Sequence, residues 1–234
     1  MRLFVAVLPP REQTAALGDA VAELRRLPDA DRLRWTEPAG WHFTLAFLGE
    51  VEVDEPVEGR APAGRAPADG PDLAGEPVPP ESAVLPEPLP ELLPELLLEL
   101  HTRLRRAAHR HAPFRLRLAG GGRFGERALW VGAEGDREPL RRLAQSVRAG
   151  ARRAGAPSDE SRRFVPHLTI ARNRGGAELR PFAQALAGFT GRDWQIVDIA
   201  LVRSHPPTAG VPGAQPRYET LARWPLGGRP AGAG

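Results

Sequence analysis

Two stretches of the chain pair an imidazole with a hydroxyl at the same spacing: His42-Phe43-Thr44-Leu45 and His167-Leu168-Thr169-Ile170. Both lie in apolar, strand-like contexts. In a strand, residues i and i+2 share a face, so His42 and Thr44 project together while Phe43 and Leu45 turn to the other side. The same holds for His167 and Thr169 against Leu168 and Ile170. Displacement at phosphorus puts the attacking and leaving oxygens on opposite sides, and therefore needs a base and an acid on opposite sides. Two imidazoles with ordinary pKa values of about 6.5 supply one neutral and one charged ring near neutral pH. The threonine hydroxyls can donate to the non-bridging oxygens and hold the phosphate in line. This chemistry demands no metal. One His-x-Thr tripeptide means little, because a lone His in an apolar strand is more often a core or surface residue. Two copies, each followed by Leu or Ile, point to a paired site. They would face each other across a cleft if the halves of the chain are related by a pseudo-two-fold.

The elements that must position these tetrads are legible in the periodicity. Alternating or apolar runs predict strands over Leu3–Leu8, His42–Leu48, Phe114–Leu118, Ala128–Ala133, His167–Ala171, Ile196–Arg203 and Tyr218–Arg223. Amphipathic helices are predicted over Arg11–Leu27 and Pro94–Ala108, with a third starting near Asp136 as N-cap and a short fourth near Pro181–Leu186. Gly132 and the Gly120–Gly122 run read as short turns, which favours antiparallel pairing over a doubly wound sheet. No GxGxxG or GxxxxGK[ST] loop occurs, so a dinucleotide or P-loop fold has no support.

Every basic residue is arginine, with 32 Arg against 29 acidic residues and a net charge of +3. The acid is concentrated: residues 50–99 hold thirteen Asp or Glu and eleven of the 26 prolines. The rest of the chain is therefore strongly basic, which suits a phosphate-bearing ligand. Residues 54–90 have almost no aromatic or β-branched side chains to bury, and read as a disordered acidic, Pro-rich insertion within one domain spanning 1–234. An inter-domain linker is the alternative. There is no cysteine, which removes disulfides, thiolate metal sites and cysteine nucleophiles together and fits a cytoplasmic location. No run of eighteen apolar residues predicts a membrane span, and the short apolar start is read as a first strand rather than a signal peptide.

Other candidates are weaker. His101, His109 and His111 cluster at a helix end without acidic partners at ligand spacing, so no metal is expected there. His205 stands near a strand end where it could line the cleft. Trp35, Trp41, Phe124 and Trp130 could stack a base, although core packing is the default for each. Arg141-Arg142 and Arg152-Arg153 read as a solvated face.

The chain resembles the 2H phosphoesterases, and within them the bacterial RNA 2′,3′-cyclic phosphodiesterases, also called 2′-5′ RNA ligases. The resemblance is carried by Arg2-Leu3-Phe4-Val5-Ala6-Val7, Trp41-His42-Phe43-Thr44-Leu45-Ala46-Phe47-Leu48-Gly49-Glu50, and Phe124-Gly125 before Leu129-Trp130. It continues in Phe164-Val165-Pro166-His167-Leu168-Thr169-Ile170-Ala171-Arg172 and in Tyr218-Glu219 running into Trp224-Pro225-Leu226. It implies an α+β, bilobal fold: two antiparallel sheets with outer helices and pseudo-two-fold symmetry around a central cleft, one tetrad per lobe. It also implies hydrolysis of a 2′,3′-cyclic phosphate to a 2′-phosphomonoester without metal or cofactor, His42 acting as proton donor and His167 as proton acceptor. Thr44 and Thr169 would bind phosphate oxygens. Arg172, five residues after His167, faces away if the strand is regular and reaches the cleft only if the strand ends or bulges near Ala171. The implied partner is RNA with a 2′,3′-cyclic phosphate end, or a small cyclic nucleotide; no membrane and no obligate protein partner is indicated. Two alternatives stay open: the reverse reaction, which joins RNA ends through a 2′-5′ bond, and a non-catalytic nucleotide-binding module.

Overall fold

The computed structural model describes residues 2–50, 95–156, 164–207 and 215–227. The acidic insertion at 54–90 lies outside the described residues. The elements run β1 (Arg2–Val7), α1 (Arg11–Leu24), β2 (Leu33–Trp35), β3 (Phe43–Glu50), α2 (Glu95–His109), β4 (Phe114–Phe124) and β5 (Ala128–Gly135). Then follow α3 (Arg137–Arg153), β6 (His167–Asn173), α4 (Arg180–Ala185), β7 (Trp194–Ile196), β8 (Asp198–His205) and β9 (Arg217–Pro225).

The strands form two antiparallel sheets, one ordered β3-β1-β8-β9 and the other β2-β6-β5-β4-β7. The expected α+β class with two antiparallel sheets is therefore observed. Each sheet turns one face inward. Leu3, Val5, Phe43 and Leu45 of the first meet Leu116, Leu129, Val131 and Leu168 of the second in one continuous core. Helices α2 and α3 join that core through Leu100, Leu104, Leu140, Leu143 and Val147, all fully buried. Their apolar residues recur at helical spacing, and their opposite faces carry arginine and glutamate. The other face of the first sheet carries a smaller apolar cluster of Phe4, Ala6, Ala200 and Val202, with Tyr218 packed on it. Among the described residues no helix is long and apolar enough to cross a membrane.

The differences from the sequence expectation are local. The Leu33–Trp35 strand is not expected from the sequence; three residues are too few to display a period. The predicted Ile196–Arg203 strand is two, β7 and β8, which lie in different sheets and part at exposed Val197. Gly120–Gly122 and Gly132 are not turns but lie inside β4 and β5. Gly122 is required there because Trp130 lies flat across it, and a Cβ would overlap the indole. Asp136 precedes α3 as expected, but its carboxylate accepts from the Arg115 backbone N–H at 2.9 Å instead of capping the helix.

Candidate active site

Each tetrad leads into a strand: His42 immediately precedes β3 of the first sheet, and His167 is the first residue of β6 in the second. In β3, Thr44 stands opposite Ala6 and Ala46 opposite Val5, leaving Leu45 as an extra residue. In β6, Thr169 stands opposite Trp130 and Ala171 opposite Leu129, leaving Ile170 extra. These are β-bulges, in which two residues on one strand face one on its partner. They fall at the same place in both tetrads.

The bulge changes which residues share a face. Leu45 and Ala46 both turn into the core, as do Ile170 and Ala171. The residue three beyond each threonine then returns to the threonine's side. In β6 that residue is Arg172, whose odd offset from His167 is thereby resolved: the strand bulges where such a contact requires it. In β3 it is Phe47, opposite Phe4 on the outer face and 58% exposed. Each bulge also leaves a carbonyl to satisfy. Leu45 O accepts from Arg148 Nε of α3 at 3.0 Å, and Ile170 O accepts from the Thr36 backbone N–H at 2.8 Å.

The histidines are anchored alike. His42 Nδ1 lies 2.8 Å from Gly40 O, and His167 Nδ1 lies 2.7 Å from Val165 O. A carbonyl only accepts, so each Nδ1 carries the proton and each Nε2 is left to accept or, when charged, donate. Both rings contact aromatics. His42 stacks on Phe4 at 4.5 Å between centroids and meets the edge of Tyr218 at 5.3 Å. His167 meets Phe124 edge-on at 4.7 Å. Gly40 is fixed by this packing, because a Cβ there would press on Thr36 and the Tyr218 ring.

Burial lowers the His42 pKa to about 4; the Gly40 bond opposes this, and the charges of His167 and Arg172 add to it. Burial also lowers His167, against the Val165 bond and with the help of Arg172. Tyr218 is raised, chiefly by burial, although Arg172 and Arg34 pull it down. Arg172 is thus within charge reach of both histidines and of Tyr218, and His42 is within reach of His167. The two tetrads and Arg172 come together around one site.

The remaining candidates separate cleanly. Trp41 is buried in the core. Phe124 and Trp130 lie on the His167 side of the second sheet, with centroids 5.6 Å apart. Trp35 Nε1 donates to Ala30 O at the end of that sheet. His205 pairs with Glu219 at 2.9 Å. His101 meets Trp224 edge-on and His111 bonds Ser146; among the described residues no three His, Cys, Asp or Glu gather as a metal site. Sequence reasoning does not single out Phe47, Tyr218 or Arg148. Knowing of the bulge after Thr44 flags Phe47, and Tyr218 is the only tyrosine in the chain.

A model of the 2′-5′ RNA ligase superfamily matches residues 83–207, more than half of the chain. This chain belongs to that superfamily. A model described as LigT-like phosphoesterase matches residues 7–68. The RNA 2′,3′-cyclic phosphodiesterase of Thermus thermophilus is 29% identical over 97% of this chain and 91% of its own length. That of Geobacillus stearothermophilus is 29% identical over 85% of this chain and 49% of its own length. A crystal structure of a Thermus thermophilus protein superposes with TM-score 0.62 at 27% identity, covering 97% of this chain and 99% of that one. Escherichia coli LigT, solved with 3′-AMP, shares the superfamily fold with TM-score 0.62 at 24% identity, over 96% of this chain and 97% of that one.

Proposed function

We propose that the chain hydrolyses RNA 2′,3′-cyclic phosphate ends to 2′-phosphomonoesters by metal-independent acid–base catalysis with two histidines. The observation that carries this is the matched pair of imidazoles, each tied through Nδ1 to a carbonyl two residues earlier, with Arg172 in charge reach of both. The relatives named RNA 2′,3′-cyclic phosphodiesterase support the substrate.

In this reading water attacks phosphorus opposite the 3′ oxygen. His167 Nε2 takes the proton from water as the new P–O bond forms. The P–O3′ bond breaks, and His42 Nε2 gives its proton to the departing 3′ oxygen. Thr44 and Thr169 donate to the non-bridging oxygens, and Arg172 offsets the charge that gathers on them. In the free protein both rings are mostly neutral at pH 7. The negative charge of a bound cyclic phosphate favours the charged ring, so substrate binding itself arms His42 as the acid. Phe47 offers an exposed aromatic face for the terminal base. The terminal nucleotide of an RNA is the substrate group; a small cyclic nucleotide fits the same chemistry. A chain without cysteine that acts on RNA ends suits the cytoplasm. We read the domain as one unit, so removal of residues 54–90 should leave turnover intact.

The test is to incubate the protein in EDTA with a nucleoside 2′,3′-cyclic phosphate and identify the product by phosphorus NMR. The 2′-phosphate is expected. The 3′-phosphate would mean that the other ester bond breaks. Binding without any product would leave a nucleotide-binding module.

A further inference from the structure

Beside the site, at the edge of the second sheet, lies a cavity of about 420 Å³ lined by Arg25, Asp31, Arg34, Trp35, Glu37 and Arg174 among others. It is connected to the tetrads through β2. Arg34 of β2 stands directly opposite Arg172 of β6, so the two guanidinium-bearing residues share a face. Their strands lie one spacing apart, about 4.8 Å. Arg34 is close enough to the site for its charge to act on Tyr218. Arg174 follows the end of β6, held by its backbone N–H to Arg32 O at 3.2 Å, and lines the same cavity.

The charge balance of the cavity is uneven. Arg25 is engaged, with Glu37 at 3.7 Å and with the Trp35 ring at 5.6 Å. Among the described residues Arg34 and Arg174 have no carboxylate within ion-pair distance, and Asp31 is the one other acid on the wall. Elsewhere on the described surface many arginines pair with a carboxylate, as do Arg26, Arg103, Arg117, Arg141 and Arg223. Two arginines without such a partner line one concavity, and Arg34 stands across the sheet from Arg172; the guanidinium fork suits the paired oxygens of a phosphodiester.

We propose that this cavity is a second phosphate subsite, in which Arg34 and Arg174 hold the phosphodiester on the 5′ side of the terminal nucleotide. The proposal rests on the hydrolase reading above. It makes an oligonucleotide end a better substrate than a mononucleotide, because only the former carries that second phosphate.

The experiment compares kcat/KM for cytidine 2′,3′-cyclic phosphate and for a trinucleotide ending in the same group, as a function of salt. It uses the wild-type chain and the variants Arg34→Gln, Arg174→Gln and their combination. The wild type should prefer the trinucleotide by about tenfold or more, as expected for one or two charge-assisted hydrogen bonds. In the double variant the preference should fall to within about threefold, and the salt slope for the trinucleotide should flatten by about 0.7 for each phosphate no longer neutralised. The ratio of the two substrates is insensitive to any loss of folded protein. A wild-type ratio near one, or a double variant that keeps both ratio and salt slope, overturns the subsite alone. If the wild type turns over neither substrate, the hydrolase reading fails and the subsite falls with it.

Discussion

The two tetrads are built on one plan and finished differently. Both lead into a strand, both tie Nδ1 to a carbonyl two residues back, and both bulge after the threonine. The first lies on an edge strand, with only β1 beside it. Its histidine is sunk between Phe4 and Tyr218, and the residue three past its threonine is Phe47. The second is flanked by β2 as well as β5, its histidine touches Phe124, and the equivalent residue is Arg172. The plan fixes geometry, while the finish divides labour between an apolar wall and a cationic one. A phosphate flanked by both has its charge met on one side and an apolar face for a base on the other.

The largest expected effect comes from removing either imidazole. His42→Ala and His167→Ala should each lower kcat by about 10²- to 10⁴-fold, and the double variant should fall little further if the two act as one unit. Single-turnover rates check this; a variant within a fewfold of wild type would remove that histidine from the mechanism.

Next come the positions where the tetrads diverge. Arg172→Gln should lower kcat/KM by about ten- to hundredfold, the size of a charge-assisted hydrogen bond. Phe47→Ala should raise KM severalfold and leave kcat close to wild type. Steady-state kinetics on one cyclic nucleotide separates the two. Equal kcat losses at both positions would mean that wall and cation do the same job.

The threonines, where the tetrads agree, should behave alike: Thr44→Val and Thr169→Val each cost about tenfold in kcat, one phosphate hydrogen bond apiece. A large difference between them would show that the phosphate sits nearer one tetrad. Smaller still is Arg148→Ala, which leaves the Leu45 carbonyl without its side-chain donor. Removing that bond should cost about 1–3 kcal/mol of stability, read as a lowered Tm, with a modest fall in kcat because the bulge under Thr44 loosens. No change in Tm would leave the bulge held by its strand alone.

Much of this is legible in the sequence. The strand period puts His and Thr on one face, and apolar Phe43, Leu45, Leu168 and Ile170 mark the buried side correctly. The bulge is not legible, because an extra residue leaves the apolar content of a strand almost unchanged while reversing every later side chain. Arg172 therefore stands undecided in the sequence, and Phe47 passes for an ordinary strand hydrophobe. The glycines in β4 mislead for a related reason: glycine signals a turn locally, whereas here it makes room for Trp130, a partner across the sheet. The second phosphate subsite depends on Leu33–Trp35 joining the sheet, and no three-residue pattern announces that.

The central claim, that His42 and His167 act as an opposed acid and base, is tested most directly by kcat/KM against pH in the wild type and both single variants. Both rings titrate below the ordinary 6.5, so the wild-type profile should be a bell whose maximum lies on the acid side of 6.5. With His42 removed, activity depends only on neutral His167 and should rise with pH to a plateau. With His167 removed, it depends only on charged His42 and should fall as pH rises. A bell that survives intact in either variant would contradict the pairing.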